Sequence, residues 1–142
     1  MARIDFQLLL ALVLPLLLWP WVPAWDSEYF KDGLFSAIAL FAFIPIIEEV
    51  LFRGFLQGWL LHKEWFNKLT AGASRANWCT SIVFACAHLW QHALILVPGY
   101  FVVSLLLGHF RERYRGILVP VLLHGYYNLG LLLVAARPML FN

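Results

Sequence analysis

The chain has 142 residues, 63% of them hydrophobic and 13% charged, with a formal net charge of +2 and a mean hydropathy of +0.78. A soluble domain carries about 25% charged residues, so an ordinary soluble fold is excluded. The basic residues are dispersed or lie between apolar runs, which speaks for membrane orientation and against a nucleic-acid partner.

Phe6 to Val22 is the first apolar run. One reading is a cleaved signal peptide, with Val22-Pro23-Ala24 as a loose small-residue site. The other is an uncleaved first span with Trp19 and Trp21 as interfacial anchors. Asp5 in the leader and the bulky tryptophans favour the second, and Pro15 and Pro20 are expected to kink or end the helix. Trp25 to Gly33 is a polar connector. Leu34 to His62 is the second span, with Pro45 about a turn before Glu48 and Glu49, where a lost hydrogen bond should bend the helix. Gly54 and Gly58 form a small-xxx-small face that admits a neighbouring helix, from this chain or from a second copy, so the oligomeric state is open.

Lys63 to Asn77 reads as a loop, and Trp78 to Val97 as a third span holding Phe84, His88 and His92. Pro98-Gly99 signals a turn. Tyr100 to Phe110 is a short fourth span, Arg111 to Arg115 a basic loop, and Gly116 to Ala136 a fifth span carrying His124 and Asn128. Cys79 and Cys86 share one span, offer no disulfide framework, and read as small core residues. The fold class is therefore all-α: a polytopic membrane helix bundle of about five transmembrane helices, one membrane-embedded domain over residues 1–142. With the N-terminus inside, Arg3, Lys63, Lys68, Arg75, Arg111, Arg113 and Arg115 all fall on the cytoplasmic side, as the positive-inside rule requires.

Charges inside a span are costly, at least about 2.5–3.5 kcal/mol each on insertion scales, and mark function. Glu49 and Arg53 are spaced i,i+4 in the favourable orientation for an ion pair. Glu48 lies about 100° around the helix from Glu49. Either the pair is structural and Glu48 a spare carboxylate, or Arg53 holds Glu49 and Glu48 is the working group. At about 1.5 Å rise per residue, Glu48, His88 and His124 all lie in the inner half to middle of the membrane and can converge. A desolvated carboxylate beside a histidine suits general-base activation of water. His124 and Asn128, i,i+4 on one face, can donate to a developing oxyanion. Each residue also has a plain reading: a histidine bonded to a backbone carbonyl, Asn128 as helix–helix glue, Phe84 as core, His92 as structural or interfacial.

The ordered set Glu48-Glu49-x-x-x-Arg53, Phe84-x-x-x-His88 and His124-x-x-x-Asn128 resembles the three motifs of the CPBP family (CAAX protease and bacteriocin-processing, also called Abi), over about Leu34 to Ala136. That family includes the Rce1-type intramembrane glutamic endopeptidases. The resemblance implies that Glu48 and His88 activate water, His124 and Asn128 stabilise the oxyanion, Glu49 and Arg53 support the site, and Phe84 lines it. It implies no cofactor and no metal. The implied substrate is a membrane-anchored protein or peptide, with a prenylated C-terminus or a hydrophobic C-terminal tail, met within the lipid bilayer. Rce1-type members have about eight helices and this chain has room for five, so its substrate-binding walls differ. The size is closer to compact prokaryotic members that process C-terminal tails, which implies a prokaryotic cytoplasmic membrane. Other readings stay open: a zinc protease built on Glu48, His88, His92 and His124, a binding or immunity protein, or a proton-relay fragment of a transporter.

Overall fold

The computed structural model describes residues 5–21, 39–90 and 94–140. The connector from Trp25 to Gly33, the Val22-Pro23-Ala24 site and His92 lie outside the described residues. The described chain is helical apart from one small hairpin, with helices α1 (Phe6–Leu18), α2 (residues 39–61), α3 (Arg75–Ala87), α4 (Val97–Tyr114) and α5 (Leu118–Leu140). They divide into two compact units. One takes in residues 46–121; the other is built from the described residues of 1–45 and 122–142.

In the second of these units, α1 starts at Asp5, whose carboxylate accepts from the backbone N–H of Gln7 and Leu8 at 3.1 and 3.3 Å, a helix cap. Pro15 sits inside the helix and Pro20 in the 3₁₀ turn Trp19–Trp21 that ends it. Pro15 has no N–H to give to the carbonyl of Ala11, four residues earlier. Tyr127 of α5 supplies the missing donor, its hydroxyl reaching the Ala11 oxygen at 3.0 Å, and Tyr126 donates to Leu12 O at 2.6 Å. Trp19 packs on Tyr126, ring centroids 5.0 Å apart, and lies so close to Gly130 that a side chain there would overlap its indole. Trp19 is thus a packing residue, whereas Trp21 is exposed and fits an interfacial anchor.

Helix α2 changes gauge along its length: a wide π-helical turn over Ala39–Phe43, α-helix over Ile44–Glu49, π-helix again over Val50–Gln57, and α-helix over Gly58–Leu61. Such turns are rare and gather at functional sites. Pro45 cannot donate to the carbonyl of Phe41, and the first wide turn lies just there. Around the axis, Glu49, Arg53 and Gln57 are fully buried while Ile47, Leu51, Phe55 and Trp59 are each more than half exposed. A polar inside and an apolar outside is the reverse of a soluble helix and suits a lipid surrounding.

The predicted loop of residues 63–77 contains a two-residue hairpin, β1 (Leu69–Thr70) with β2 (Ala73–Ser74), Leu69 opposite Ser74 and Thr70 opposite Ala73. Ala71 and Gly72 at its tip have φ of 49° and 83°, as a type I′ turn requires. The hairpin delivers Ser74 to the start of α3, where its hydroxyl accepts from Asn77 N at 2.9 Å. The expected third span is cut short. α3 ends at Ala87, a 3₁₀ turn follows at His88–Trp90, another covers Leu94–Leu96, and α4 begins at Val97. Pro98-Gly99 therefore opens a helix and makes no turn, because the first helical turn needs no N–H donor at Pro98. The predicted short fourth span and basic loop merge into this helix, whose last turn carries Arg111 and Arg113 before Arg115 closes it in the left-handed conformation. Cys79 is half-buried and Cys86 exposed, which corrects their reading as core residues.

The all-α class holds. Among the described residues, Leu94–Tyr114 is long and apolar enough to cross a membrane, 21 residues with a mean hydropathy of 1.6; 22% of its most apolar stretch is buried, where a soluble core helix would be mostly buried. Phe6–Trp21 and Leu118–Val134 are apolar but shorter.

If Tyr127 replaces the donor that Pro15 lacks, Tyr127→Phe should cost about 1 kcal/mol. It should cost clearly less in a Pro15→Ala background, where the restored N–H can serve the Ala11 carbonyl. Unfolding of the four proteins in detergent measures the coupling, and equal costs in both backgrounds would separate the two residues.

Candidate active site

The rotation of α2 that buries Glu49 leaves Glu48 about 100° away, facing the end of α3. Glu48 Oε1 lies 3.9 Å from His88 Nε2, with side chains 24% and 14% exposed respectively, so the pair is accessible and not sealed. His88 stands where α3 gives way to the 3₁₀ turn, and its Nδ1 is 2.8 Å from the carbonyl oxygen of Phe84. A carbonyl only accepts, so Nδ1 carries a proton, and Nε2 is the ring nitrogen that faces Glu48. The imidazole meets two rings, Phe84 at 4.4 Å and Tyr100 of α4 at 4.5 Å, the latter stacked at 27°.

Behind Glu48 is a buried polar core. Arg53 Nε pairs with Glu49 Oε2 at 3.2 Å, both side chains fully buried. Nη2 donates to the hydroxyl and carbonyl of Ser104 at 2.9 and 3.2 Å. The guanidinium carbon lies 4.6 Å above the Phe84 ring, which itself meets Phe52 edge-on at 5.0 Å. From Ser104 the donors run one way: Ser104 Oγ to Ser81 Oγ at 3.0 Å, Ser81 Oγ to Asn77 Oδ1 at 3.2 Å, and Asn77 Nδ2 to Leu105 O at 3.0 Å. Ser74, which caps Asn77, donates to Glu112 Oε1, and Gln57 donates to the same oxygen at 2.8 Å and to Gly108 O at 3.1 Å. Three helices are thus joined by hydrogen bonds between largely buried side chains.

Gly108 makes the core possible, since a Cβ there would sit 2.0 Å from Asn77 Oδ1. The Gly54/Gly58 face meets its own chain: Ile117 lies 3.8 Å from a Cβ built at Gly54, and Arg111 Nη2 3.7 Å from one built at Gly58. Arg111 Nε also donates to the Arg53 carbonyl at 3.2 Å.

Of the residues singled out in the sequence, Glu48, Glu49, Arg53, Phe84 and His88 are brought together in the unit of residues 46–121. His124 and Asn128 stand one turn apart on α5, in the other unit, His124 buried and Asn128 half-buried. The sequence reading missed Gln57, Ser74, Asn77, Ser81, Ser104, Gly108 and Glu112. Their signal is spacing: Glu49-Arg53-Gln57, Asn77-Ser81 and Ser104-Gly108-Glu112 each recur every four residues, one face of each helix. Among the described residues no three His, Cys, Asp or Glu side chains gather as a metal site would need.

Residues 30–130 match the Rce1-like family, the type II CAAX prenyl endopeptidases, and the chain belongs to that family. It is 31% identical over 93 residues to a 24.3 kDa protein of Escherichia coli described as uncharacterized, an overlap covering 66% of this chain and 41% of that protein. The chain thus spans about two fifths of that relative's length. No solved structure matches it significantly. Members of the family are membrane proteins, in keeping with the inside-out α2 and the 21-residue apolar stretch at α4.

Removing Arg53 takes the paired cation from the buried Glu49 carboxylate, so Arg53→Ala should cost about 3–5 kcal/mol. Gly108→Ala, which drives Asn77 from its place, should cost on the order of 1–3 kcal/mol. Thermal unfolding in detergent checks both; a Gly108→Ala protein as stable as wild type would mean that α3 and α4 separate at no cost.

Proposed function

We propose that the chain is an intramembrane glutamic-type endopeptidase that hydrolyses a peptide bond near a membrane-anchored C-terminal segment. The observation that carries this reading is the Glu48–His88 pair: a carboxylate oxygen and the imidazole Nε2 3.9 Å apart. With Nδ1 donating to Phe84 O, the neutral imidazole offers Nε2 as an acceptor beside the carboxylate, and the gap exceeds a direct hydrogen bond of about 2.8 Å. It suits one water donating to both at once. Glu48, as general base, takes a proton from that water as its oxygen attacks the scissile carbonyl. His88 holds the second hydrogen and so aims the oxygen lone pair. The carbonyl oxygen, now an anion, receives hydrogen bonds from His124 and Asn128. Collapse expels the amine, which takes the proton held by Glu48. Glu49 and Arg53 are the buried frame that sets the rotation of Glu48, and Phe84 links frame to imidazole.

Family membership supports the reaction class, and the family's description names prenylated CAAX proteins as the substrates of its members. For this chain the substrate is a prenylated C-terminus or a hydrophobic C-terminal tail, in a prokaryotic cytoplasmic membrane. A multi-pass, five-span arrangement with the N-terminus inside, forming one domain, agrees with the basic loops.

The test is cleavage of a panel of prenylated CAAX and hydrophobic tail peptides by purified protein in nanodiscs, read by mass spectrometry, with and without chelator. Glu48→Gln should abolish chelator-resistant cleavage while leaving the fold intact, and near-normal turnover would remove Glu48 from the base role. Asn128→Ala should raise the barrier by about 2.7–4 kcal/mol; an unchanged kcat would contradict its part at the oxyanion. Cleavage lost to chelator would move the chemistry to a metal.

A further inference from the structure

We propose that Tyr100 is a positioning residue for His88: its ring, presented from the first turn of α4, stacks on the imidazole and keeps Nε2 turned toward Glu48. The proposal rests on the catalytic reading of His88 given above for its effect on turnover, and on geometry alone for its effect on the ring.

His88 needs such a hold. It is the residue at which α3 ends, with φ −82° and ψ −11°, its own N–H bonded back to Ala85 and Cys86. Helix ends fray, and the second side-chain torsion of histidine is broad. The Nδ1–H bond to Phe84 O ties down one ring atom, about which the plane can still swing. Glu48 Oε1 lies 3.9 Å from Nε2 at the other edge. Ring contacts restrict that swing. Phe84 meets the imidazole at 4.4 Å, tilted by 36°, and is itself packed against Phe52 and the guanidinium of Arg53. Tyr100 covers the imidazole from a different helix at 4.5 Å and only 27° from parallel. Its place is set by a helix start that Pro98 pre-forms. The stacking uses the ring and not the hydroxyl, so phenylalanine should substitute for it and an aliphatic side chain should not.

The experiment compares wild type, Tyr100→Phe, Tyr100→Leu and Tyr100→Met in nanodiscs with ¹⁵N-histidine labelling, the His88 signals assigned by their loss in His88→Gln. Peptide cleavage is followed on the same samples. Wild type and Tyr100→Phe should show one His88 species, Nδ1 protonated and Nε2 not. Tyr100→Leu and Tyr100→Met, which keep apolar bulk without a ring face, should show exchange-broadened or mixed-tautomer signals. Their kcat should fall roughly tenfold or more, since a misplacement of about 1 Å can cost on the order of a hundredfold, with KM changed less than about twofold. Aliphatic variants that keep both the single His88 species and kcat would overturn the proposal. So would a Tyr100→Phe variant as impaired as Tyr100→Leu, because the hydroxyl would then be the operative group. If no peptide is cleaved by wild type, the labelled histidine still reports whether Tyr100 holds the ring, so the two readings fail separately.

Discussion

The structure turns on one buried cation. The Arg53 guanidinium has no exposure to solvent, and an unpaired charge in that position would be prohibitive. Partners meet it from three sides: a carboxylate one turn earlier on its own helix, a serine on α4, and the ring of a phenylalanine on α3. These partners fix the rotation of α2 about its axis, and the rotation decides everything along it. Glu49, Arg53 and Gln57 go inward, the large aliphatic and aromatic residues go outward, and Glu48 is left at the edge between them beside His88. The charge that looks like part of the chemistry is better understood as the pin that aims its neighbour.

A second economy recurs in the backbone. In an apolar surrounding each carbonyl that loses its helical partner must find another. Here side chains supply them: Tyr127 for the carbonyl that Pro15 leaves, His62 for Gly58 near the end of α2 at 2.7 Å, Arg111 for Arg53 within the wide turns, and His88 for Phe84 at the end of α3. His88 is thus a helix cap before it is anything else. Because the cap uses Nδ1, the same bond that finishes the helix leaves Nε2 as the nitrogen turned toward Glu48.

Much of this was readable from residues alone. The Glu48-Glu49-Arg53 triplet and the Phe84/His88 spacing predicted which groups would meet, because i,i+4 geometry is local and survives any packing. Where α3 stops was not readable: Leu89 and Trp90 continue the apolar run without a break, and only the capping of Phe84 by His88 marks the end. Pro98-Gly99 misled for a related reason, since a proline that ends one helix and a proline that begins another look alike in a string of letters. The polar core escaped because Ser74, Asn77, Ser81 and Ser104 are individually ordinary. Their importance arises when three faces with the same four-residue spacing are brought together, and that is a property of the packing. Positions such as Cys86, apolar in sequence and exposed in the fold, show the limit of equating apolar with interior when the surroundings are themselves apolar.

Asn77 and Gly108 deserve a last thought as a pair. One helix contributes a side chain and the other contributes the absence of one, and the amide fills the space that glycine leaves. Neither position can vary by itself without either an overlap or a hole in which Leu105 O and the Ser81 hydroxyl lose their bonds to Asn77. Among descendants of a common ancestor they are therefore expected to change as one heritable character: where the residue at 108 has grown, that at 77 should have shrunk, and the axial register of α3 on α4 should have moved with them.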